Sequence, residues 1–284
     1  MVETRPTFFE IVRQTLDRSY ADIGDDRRDE KIKTRMVELR DGFRRGLLAR
    51  GGPDYSDAIT RFAYVYKYAS AHADYLDGIV KSSSSLQEVL SREKVSITCI
   101  GGGPGSDALG FLKFFLERGD SPHIKYFILD REPAWGDTWA DLDDVVTGSL
   151  RFSIDYRNFD VTKPSTYASF QRVFESDIFT MIYFLSEVFV HKDAVTKFLR
   201  TCFAKMKLGA QFIVIDFKNT ELQNWIDECA KDAGFESEGR ETKFFMDSCE
   251  QKSVLKKYAD KFGTEPKITS HVFYRLLKKT RLNQ

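Results

Sequence analysis

The chain has 284 residues, of which 42% are hydrophobic and 14% aromatic, enough for one large domain or for one domain with an attached smaller unit. Its 43 basic and 43 acidic residues give a net charge of zero, which excludes a surface built throughout for nucleic acid but leaves room for a local basic patch. The four cysteines form no CxxC motif and no Cys/His cluster, so we expect free, buried thiols and no metal site. With no long apolar segment, we expect a soluble cytoplasmic protein, or a nuclear one, without membrane contact.

The first 90 residues have helical periodicity. TFFEIVRQTLDRSY predicts a first helix, and RDEKIKTRMVELRDGFRRGLLAR predicts a second that ends at Gly51-Gly52-Pro53. A third helical segment, DYSDAITRFAYVYKYASAHADYLDGIV, has Ser56 as its expected N-cap. KSSSSLQ predicts a short polar joint, and SLQEVLSRE is compatible with one more helix. We therefore expect residues 1–90 to form a helical cap.

From residue 91 onward, strand-like and helical segments alternate. The strand-like segments are VSITCIG, IKYFILD, RFSIDYRNFD, DIFTMIYFL and AQFIVIDFK, followed near the C-terminus by ETKFFMD and SHVFYRLLKK. Helical patterns follow the first, fourth and fifth of them. This alternation predicts an α/β fold with a parallel sheet and helices on both faces over residues 91–284.

A glycine-rich segment, CIGGGPGSD, joins the first strand to the following helix. Its glycines allow a sharp turn and a close approach of a ligand to the backbone N–H groups at the start of the helix. The alternative is a tight turn without a ligand. The segment also fits G-x-G-x-x-A over Gly103, Gly105 and Ala108, a dinucleotide fingerprint, but lacks the Gly-Lys-Ser/Thr of a phosphate-binding loop.

Three acidic residues follow the glycines or the next strand ends. Asp107 would repel a pyrophosphate and suits a cationic amino group better, whereas Asp130 ends the second strand, where a carboxylate can accept both hydroxyls of a ribose. Asp160, in the segment NFDV after the third strand, offers a carboxylate near an adenine. Each alone is usually a solvated loop residue, but their succession along one sheet edge predicts a nucleoside-bearing, cationic ligand.

The region resembles the class I S-adenosylmethionine-dependent methyltransferases. The G-x-G-x-G motif of that family is matched by Gly101, Gly103 and Gly105, the acid at the end of its second strand by Asp130, and the acid after its third strand by Asp160. The resemblance covers roughly residues 90–280. It implies a seven-stranded, mostly parallel sheet with an antiparallel C-terminal strand, the last two predicted strands forming the closing hairpin.

The resemblance also implies S-adenosyl-L-methionine as the cofactor. The residues expected to bind it are Gly101, Gly102, Gly103, Gly105, Asp107, Asp130, Trp135, Asp160, Val161 and Ser186. Many members carry an acid at the end of the first strand, where this chain has Cys99 or Ile100. The methionine amino group would then depend on backbone carbonyls and on Asp107.

A narrower resemblance concerns the segments CIGGGPGSDALG and LDREPAWGDTW. Together they are similar to ribosomal-RNA methyltransferases of the fungal uridine-N3 type, which also follow the second strand with a tryptophan-bearing helix start. Trp135 and Trp139 could flank an adenine or a substrate base, or could pack their helix against the sheet.

Acceptor-side residues are expected after the fourth strand and on the cap. Glu187, beside Ser186, is a candidate base or orienting group, and the alternative is a helix N-terminal glutamate. Tyr64, Tyr68 and His72 are spaced to share one helical face, so Tyr64 and Tyr68 are candidate catalytic residues; the alternative is plain core packing. Neither the Asn/Asp-Pro-Pro-Tyr motif of exocyclic amine methylation nor a Pro-Cys nucleophile is present.

The sequence leaves three functions of the protein open. RNA is one possible methyl acceptor, because a segment rich in basic residues could contact it, although the same segment could form a solvated helix face. These basic residues are Lys31, Lys33, Arg35, Arg40, Arg44, Arg45 and Arg50, and RLLKKTRLNQ at the C-terminus is basic as well. A small-molecule acceptor, with the N-terminal helices as a lid, is the alternative. A non-catalytic, cofactor-binding partner of another methyltransferase is the third. The sequence leaves the oligomeric state undetermined.

Overall fold

A mixed β-sheet runs through the centre of the molecule. The computed structural model describes residues 6–44, 52–120, 122–146, 151–168, 170–231, 233–245 and 248–282. The strands are β1 (Lys94–Ile100), β2 (His123–Asp130), β3 (Phe152–Asn158), β4 (Ile178–Ile182), β5 (Gln211–Phe217), β6 (Phe235–Glu238), β7 (Glu241–Phe245) and β8 (Thr269–Lys279). Their order is β3-β2-β1-β4-β5-β8-β6, and β7 also pairs with β8. Strands β1 to β5 pair in parallel, and β8 lies antiparallel to β5.

Strands β6 and β7 are two halves of one edge strand. Phe235 pairs with Lys279 and Phe245 with Thr269, which is a single register along β8. The break falls at Gly239, where a Cβ would lie 2.2 Å from the carbonyl oxygen of Tyr274. The seven-stranded sheet with an antiparallel C-terminal strand is therefore confirmed. The sequence pattern misses β6 because it is short and mostly exposed.

The strands alternate their side chains between two hydrophobic cores. In β2, Tyr126 and Ile128 face one core, whereas Phe127 and Leu129 face the other. Such period-two alternation, with both faces apolar, is what a sheet covered by helices on both sides requires.

Helices cover both faces, as expected. The first core contains residues of the N-terminal helices, α6, α7 and α12, and the second contains residues of α9 and α10. The helices are α1 (Phe8–Asp22), α2 (Arg28–Arg44), α3 (Ala58–Tyr64), α4 (Ser70–Ser82), α5 (Ser84–Leu90), α6 (Ser106–Arg118), α7 (Trp135–Val146), α8 (Pro164–Ala168), α9 (Lys192–Lys205), α10 (Thr220–Lys231), α11 (Cys249–Val254) and α12 (Lys256–Phe262).

The third predicted N-terminal helix is interrupted. A π-helical turn, Val65–Ala69, joins α3 to α4. The predicted N-cap Ser56 is wrong: the side chain of Asp57 accepts the Ile59 N–H at 3.1 Å, because the helix begins one residue later than expected. The predicted extra helix is confirmed as α5, with Ser83 as its N-cap.

Helix α4 packs closely on α6. A Cβ at Gly110 would lie 2.8 Å from Leu76 Cβ, so only glycine permits this approach. Lys113 of α6 forms ion pairs with Asp74 and Asp77 of α4. These contacts fix the N-terminal helices against the helix that follows the glycine-rich segment.

The charged stretch between the closing strands folds into α11 and α12. Tyr258 and Phe262 of α12 pack against Phe62 and Tyr66 of the N-terminal helices. Three of the free cysteines are buried as expected, but Cys249 is exposed. Over the described ranges, no helix combines the length and the apolar character that a membrane span needs.

Candidate active site

Two adjoining cavities open at the carboxyl ends of the parallel strands. The glycine cleft, about 40 Å³, is lined by Tyr55, Tyr64, Gly101, Pro104, Ser106, Asp107, Asp130, Arg131, Glu132, Trp135, Ile182, Tyr183, Phe184 and Glu187. The aromatic chamber, about 670 Å³, is lined by Arg40, Phe43, Tyr64, Lys67, Tyr68, His72, Tyr183, Ser186, Glu187, Phe217, Thr264, Glu265, Pro266, Lys267, Ile268 and Thr269. Three residues, Tyr64, Tyr183 and Glu187, border both cavities. This edge of an open parallel sheet is where α/β proteins bind ligands.

The glycines let two aromatic rings lie directly on the backbone. A Cβ at Gly101 would be 2.0 Å from the ring of Phe184, and one at Gly103 would be 2.2 Å from the ring of Trp135. Gly101 also has a positive φ of 70°, which disfavours any side chain. The segment therefore needs glycine for space and for conformation, and it exposes its backbone to the cleft.

The two tryptophans of α7 have different positions. Trp139 packs beneath the loop, and its indole N–H donates to the Gly102 carbonyl at 3.2 Å. Trp135 borders the cleft and lies with its ring centroid 5.1 Å from that of Tyr55. The packing interpretation therefore fits Trp139, whereas Trp135 lies where a ligand could contact it.

Asp130 closes the loop over the end of β2. Its Oδ2 accepts the Gly103 N–H at 3.0 Å, and its Oδ1 accepts the Glu132 N–H at 2.9 Å. Burial raises the pKa of this carboxyl to about 6, against the opposing effect of the two N–H donors. Each carboxylate oxygen retains a lone pair that a ligand hydroxyl could use.

Asp107 lies in the first turn of α6, buried at the floor of the cleft. Its carboxyl accepts a hydrogen bond from the Thr180 hydroxyl of β4, and burial raises its pKa to about 7. Cys99, near the end of β1, is fully buried. At this point of the cleft the carboxyl therefore comes from Asp107 of α6, whereas β1 provides no acid.

Asp160 and Val161 lie away from the lining of both cavities. The Asp160 carboxylate accepts hydrogen bonds from the backbone and hydroxyl of Thr162, at 2.9 and 2.6 Å, and pairs with Lys163. Val161 is buried in the second core. Their expected contact with an adenine stays a prediction.

Ser186 and Glu187 follow β4 at the boundary between the cavities. The Ser186 N–H donates to Asp216 Oδ2 at 2.8 Å, and Ser186 borders the aromatic chamber rather than the cleft. Glu187 accepts from the Tyr55 hydroxyl at 3.2 Å. Burial and the neighbouring Asp130 raise the Glu187 pKa to about 8, despite that hydrogen bond. Glu187 is therefore placed to exchange a proton near neutral pH.

The aromatic side chains of the cap form one wall of the chamber. Tyr64 and Tyr68 lie with ring centroids 5.1 Å apart, and Tyr68 stacks on His72 at 5.9 Å. His72 in turn stacks on Tyr183 of the sheet at 4.1 Å. The predicted common face of Tyr64, Tyr68 and His72 is thus present and lines a cavity.

Sequence reasoning missed four residues of this region: Tyr55, Tyr183, Asp216 and Lys267. Asp216 could have been found, since it is the penultimate residue of β5 and lies at the same sheet edge as Asp130, the last residue of β2. Tyr183 is the one non-glycine residue with positive φ among those the structure describes, at 54°, and no sequence signal marks it. Strained backbone of this kind concentrates at functional sites.

The region is rich in carboxyls. Burial raises the pKa of Asp107 to about 7 and that of Asp216 to about 6, as it does for Asp130 and Glu187. Once deprotonated, these groups create a negative potential at the glycine cleft, which favours a cationic ligand. Within the described ranges, no three His, Cys, Asp or Glu side chains are grouped to hold a metal ion.

Comparisons with known proteins address the fold. No protein-family model and no curated protein matches the chain. An O-methyltransferase family protein from Burkholderia thailandensis is 13% identical, with 90% of this chain and 73% of that chain covered and a TM-score of 0.51. Precorrin-6Y C5,15-methyltransferase from Geobacter metallireducens (14%; 69% and 86% covered) and an S-adenosylmethionine-dependent methyltransferase from Methanosarcina mazei (11%; 70% and 98% covered) both give 0.42.

Strand order and structural likeness together define the class of fold. The sheet has a mostly parallel, Rossmann-like arrangement with the antiparallel β8 beside β5, a fold that it shares with the O-methyltransferase family protein. At 13% identity the likeness establishes the fold alone.

Proposed function

We propose that this chain transfers the methyl group of S-adenosyl-L-methionine to a small acceptor held in the aromatic chamber. The observation that carries the proposal is the junction of an acid-lined glycine cleft with a larger, aromatic-walled chamber, across Tyr64, Tyr183 and Glu187. A cationic donor on one side and an acceptor on the other would meet at these residues.

The residues of the cleft fit the cofactor chemically. Asp130 would accept the ribose hydroxyls, the backbone of Gly101 and Gly103 would lie against the ligand, and Asp107 would face its ammonium group. S-adenosyl-L-methionine supplies a methyl group on a sulfonium, a good leaving group, so catalysis is mainly alignment. The negative potential of the cleft favours that positive charge.

The space in the cleft depends on side-chain positions. At about 40 Å³, with the rings of Phe184 and Trp135 on the glycines, the cleft is smaller than a nucleoside. Tyr55, bonded to Glu187, lies against Trp135. Cofactor binding therefore requires some of these aromatic rings to move. Tyr55 lies on the segment before α3, and its side chain is the N-terminal one that must be displaced.

The position of Glu187 suits a general base that takes a proton from the acceptor. Its carboxyl borders both cavities, and its raised pKa lets it hold or release a proton near neutral pH. In the carboxylate form it would take a proton from an acceptor nitrogen or oxygen as the methyl group is transferred. Tyr64 borders the same junction and would orient the acceptor.

RNA is the alternative acceptor, and the basic helix supports it weakly. Three of its basic residues are paired with nearby acids, which matches a solvated helix face; the pairs are Lys31 with Asp25, Arg35 with Glu38 and Asp57, and Arg40 with Asp41. The side chain of Arg44, and Arg45 and Arg50 as a whole, lie outside the described residues. The aromatic lining of the chamber and its volume of about 670 Å³ favour a small acceptor.

The proposal is tested by incubating the purified chain with labelled methyl donor and either total RNA or a metabolite extract. Label in the small-molecule fraction, absent with Asp130→Ala protein, is the expected result. Label in RNA alone would replace the small acceptor with a nucleic acid. Binding of the donor without labelling of either pool would favour the non-catalytic alternative.

A further inference from the structure

Lys267 is a partly buried cation to which the described residues offer no hydrogen-bond or ion-pair acceptor, although Asp216 lies close enough to raise its pKa. It lies on the loop between α12 and β8 and borders the aromatic chamber. Its ammonium group is 5.2 Å from the ring centroid of Tyr183 and 5.8 Å from that of Tyr68. Among the residues that the structure describes, none accepts a hydrogen bond from this ammonium or forms an ion pair with it.

The loop holds Lys267 in this position from both directions. The Lys267 backbone N–H donates to the Lys67 carbonyl at 2.8 Å, and the Tyr66 hydroxyl donates to the Thr264 carbonyl at 2.7 Å. Lys67 Nζ also donates to the Thr264 hydroxyl, at 2.8 Å. The π-helical turn that carries Tyr66 and Lys67 is thus fastened to the loop, which fixes the ammonium against the aromatic wall.

The chamber therefore has two electrically different ends. Glu187 and Ser186, with Asp216 behind it, lie at the junction with the cleft. Four other charged residues border the chamber only: the cations Lys267, Lys67 and Arg40, and the acid Glu265. Burial lowers the Lys267 pKa to about 8, against the opposing effect of Asp216, so an anion beside the ammonium would favour its charged form. A ligand with an anionic group would be attracted to Lys267 and repelled by the acids at the junction.

We propose that the acceptor is a small aromatic or heteroaromatic carboxylic acid, whose ring packs on the wall of Tyr68, His72 and Tyr183 and whose carboxylate pairs with Lys267. The volume of about 670 Å³ is ample for a molecule of one to three rings. With the carboxylate at Lys267, the far edge of the ring points to the junction at Glu187, where the methyl group arrives. This inference rests on the proposed function.

The test compares acids with their neutral amides. Benzoate, 2-naphthoate, quinoline-2-carboxylate and indole-3-carboxylate, each with its primary amide, are titrated into the full-length protein saturated with S-adenosylhomocysteine. At least one acid should bind about ten- to a hundredfold more tightly than its amide, as a charge-assisted hydrogen bond requires. In Lys267→Met protein this preference should vanish, whereas Lys125→Met, an exposed lysine of β2, should retain it.

Two further measurements separate the possible failures. If no acid binds more tightly than its amide, or if Lys267→Met keeps the preference, the inference is overturned. Lys267→Arg keeps the charge and should keep the preference, which guards against a folding defect in the methionine variant. If S-adenosylhomocysteine binds normally but no acid binds more tightly than its amide, only this inference is contradicted. If S-adenosylhomocysteine does not bind, the proposed function itself is contradicted.

Discussion

His72 and Tyr183 stack face to face, with ring centroids 4.1 Å apart and planes 8° apart. The pair joins the cap helix α4 to the end of β4, where the Tyr183 backbone has a φ of 54°. The Tyr183 hydroxyl is 2.6 Å from the Ser270 hydroxyl of β8, which fixes the ring from the opposite side. The boundary between cleft and chamber therefore depends on a contact between the cap and the sheet.

Replacing His72 by alanine should weaken acceptor binding more than cofactor binding. An aromatic pair contributes about 0.5–1.5 kcal/mol beyond its buried area, and its loss leaves Tyr183 free to turn. We expect the acceptor KM to rise on the order of tenfold, with affinity for S-adenosylhomocysteine within about threefold of wild type. His72→Phe, which can stack, is the matched control. Equal losses in both affinities would mean that the pair only stabilises the fold.

Asp130→Ala should reduce cofactor affinity about ten- to a hundredfold, because it removes the carboxylate expected to accept the ribose hydroxyls. It also removes the acceptors of the Gly103 and Glu132 N–H groups, so a small loss of thermal stability should accompany it. Asp155→Asn, on neighbouring β3, serves as the control for a charge change that leaves the cleft intact. Full cofactor affinity in Asp130→Ala protein would remove this residue from the site.

The fold and half of the cleft could be predicted because their signals are local in sequence. Strand–helix alternation, the glycines and an acid at the end of β2 all lie within segments that can be recognised directly. Helix α12 could not be placed, because its packing on Phe62 and Tyr66 joins residues almost two hundred positions apart. The orientation of side chains could not be predicted either. Matching a motif position does not determine whether a carboxylate faces a cavity or bonds within its own turn.

Tyr183 and Lys267 show a second limit of sequence reasoning. Each is an ordinary residue at the end or start of a strand, and neither belongs to a motif. Their importance comes from what surrounds them: a stacked His72 for Tyr183, and the aromatic wall of the chamber for Lys267. Such properties arise from tertiary packing alone.

Methyl transfer should rise with pH if Glu187 is the base. Because the Glu187 pKa is about 8, only a small fraction of this side chain is in the carboxylate form below pH 7. The kcat should therefore increase as pH rises through about 8. Because the Tyr55 hydroxyl lowers the Glu187 pKa in the cofactor-free protein, Tyr55→Phe should move the corresponding rise in kcat/KM to higher pH. Glu187→Gln should lose on the order of 10²-fold in kcat and the pH dependence with it. An unchanged profile in Glu187→Gln protein would assign the proton to another group.

The buried acids should make the cofactor-free protein less stable as pH rises. Four carboxyls have a higher pKa in the folded state than in the unfolded state: those of Asp107, Asp130, Glu187 and Asp216. At pH values between the two pKa values, the folded state therefore binds more protons than the unfolded state. Their contribution to stability is complete near pH 4 and is lost as pH rises through about 6 to 8. Urea unfolding at pH 6 and pH 8.5 measures this, and Glu187→Gln should show a smaller decline. A stability that increases over this range would contradict the assigned shifts.

The charged cofactor should gain affinity over its neutral product as these acids ionise. S-adenosylmethionine and S-adenosylhomocysteine share every group except the methyl on the sulfonium, so their affinity ratio isolates that positive charge. Between pH 6 and pH 8.5 the ratio should shift toward S-adenosylmethionine on the order of tenfold, since a nearby charge pair contributes about 1–4 kcal/mol. Calorimetric titrations at both pH values measure it, and Glu187→Gln, at the junction where the methyl group arrives, should reduce the shift. A ratio independent of pH would mean that the acids do not face the sulfonium.

Binding of S-adenosyl-L-methionine in the glycine cleft can be measured by calorimetric titration of the full-length protein with S-adenosylhomocysteine and, separately, with NAD. We expect a dissociation constant in the micromolar range for S-adenosylhomocysteine, roughly −8 kcal/mol, and no useful binding of NAD. The acids of the cleft favour a ligand without a pyrophosphate. Tighter binding of NAD, or no binding of S-adenosylhomocysteine at millimolar concentration, would show that the cleft does not hold this cofactor.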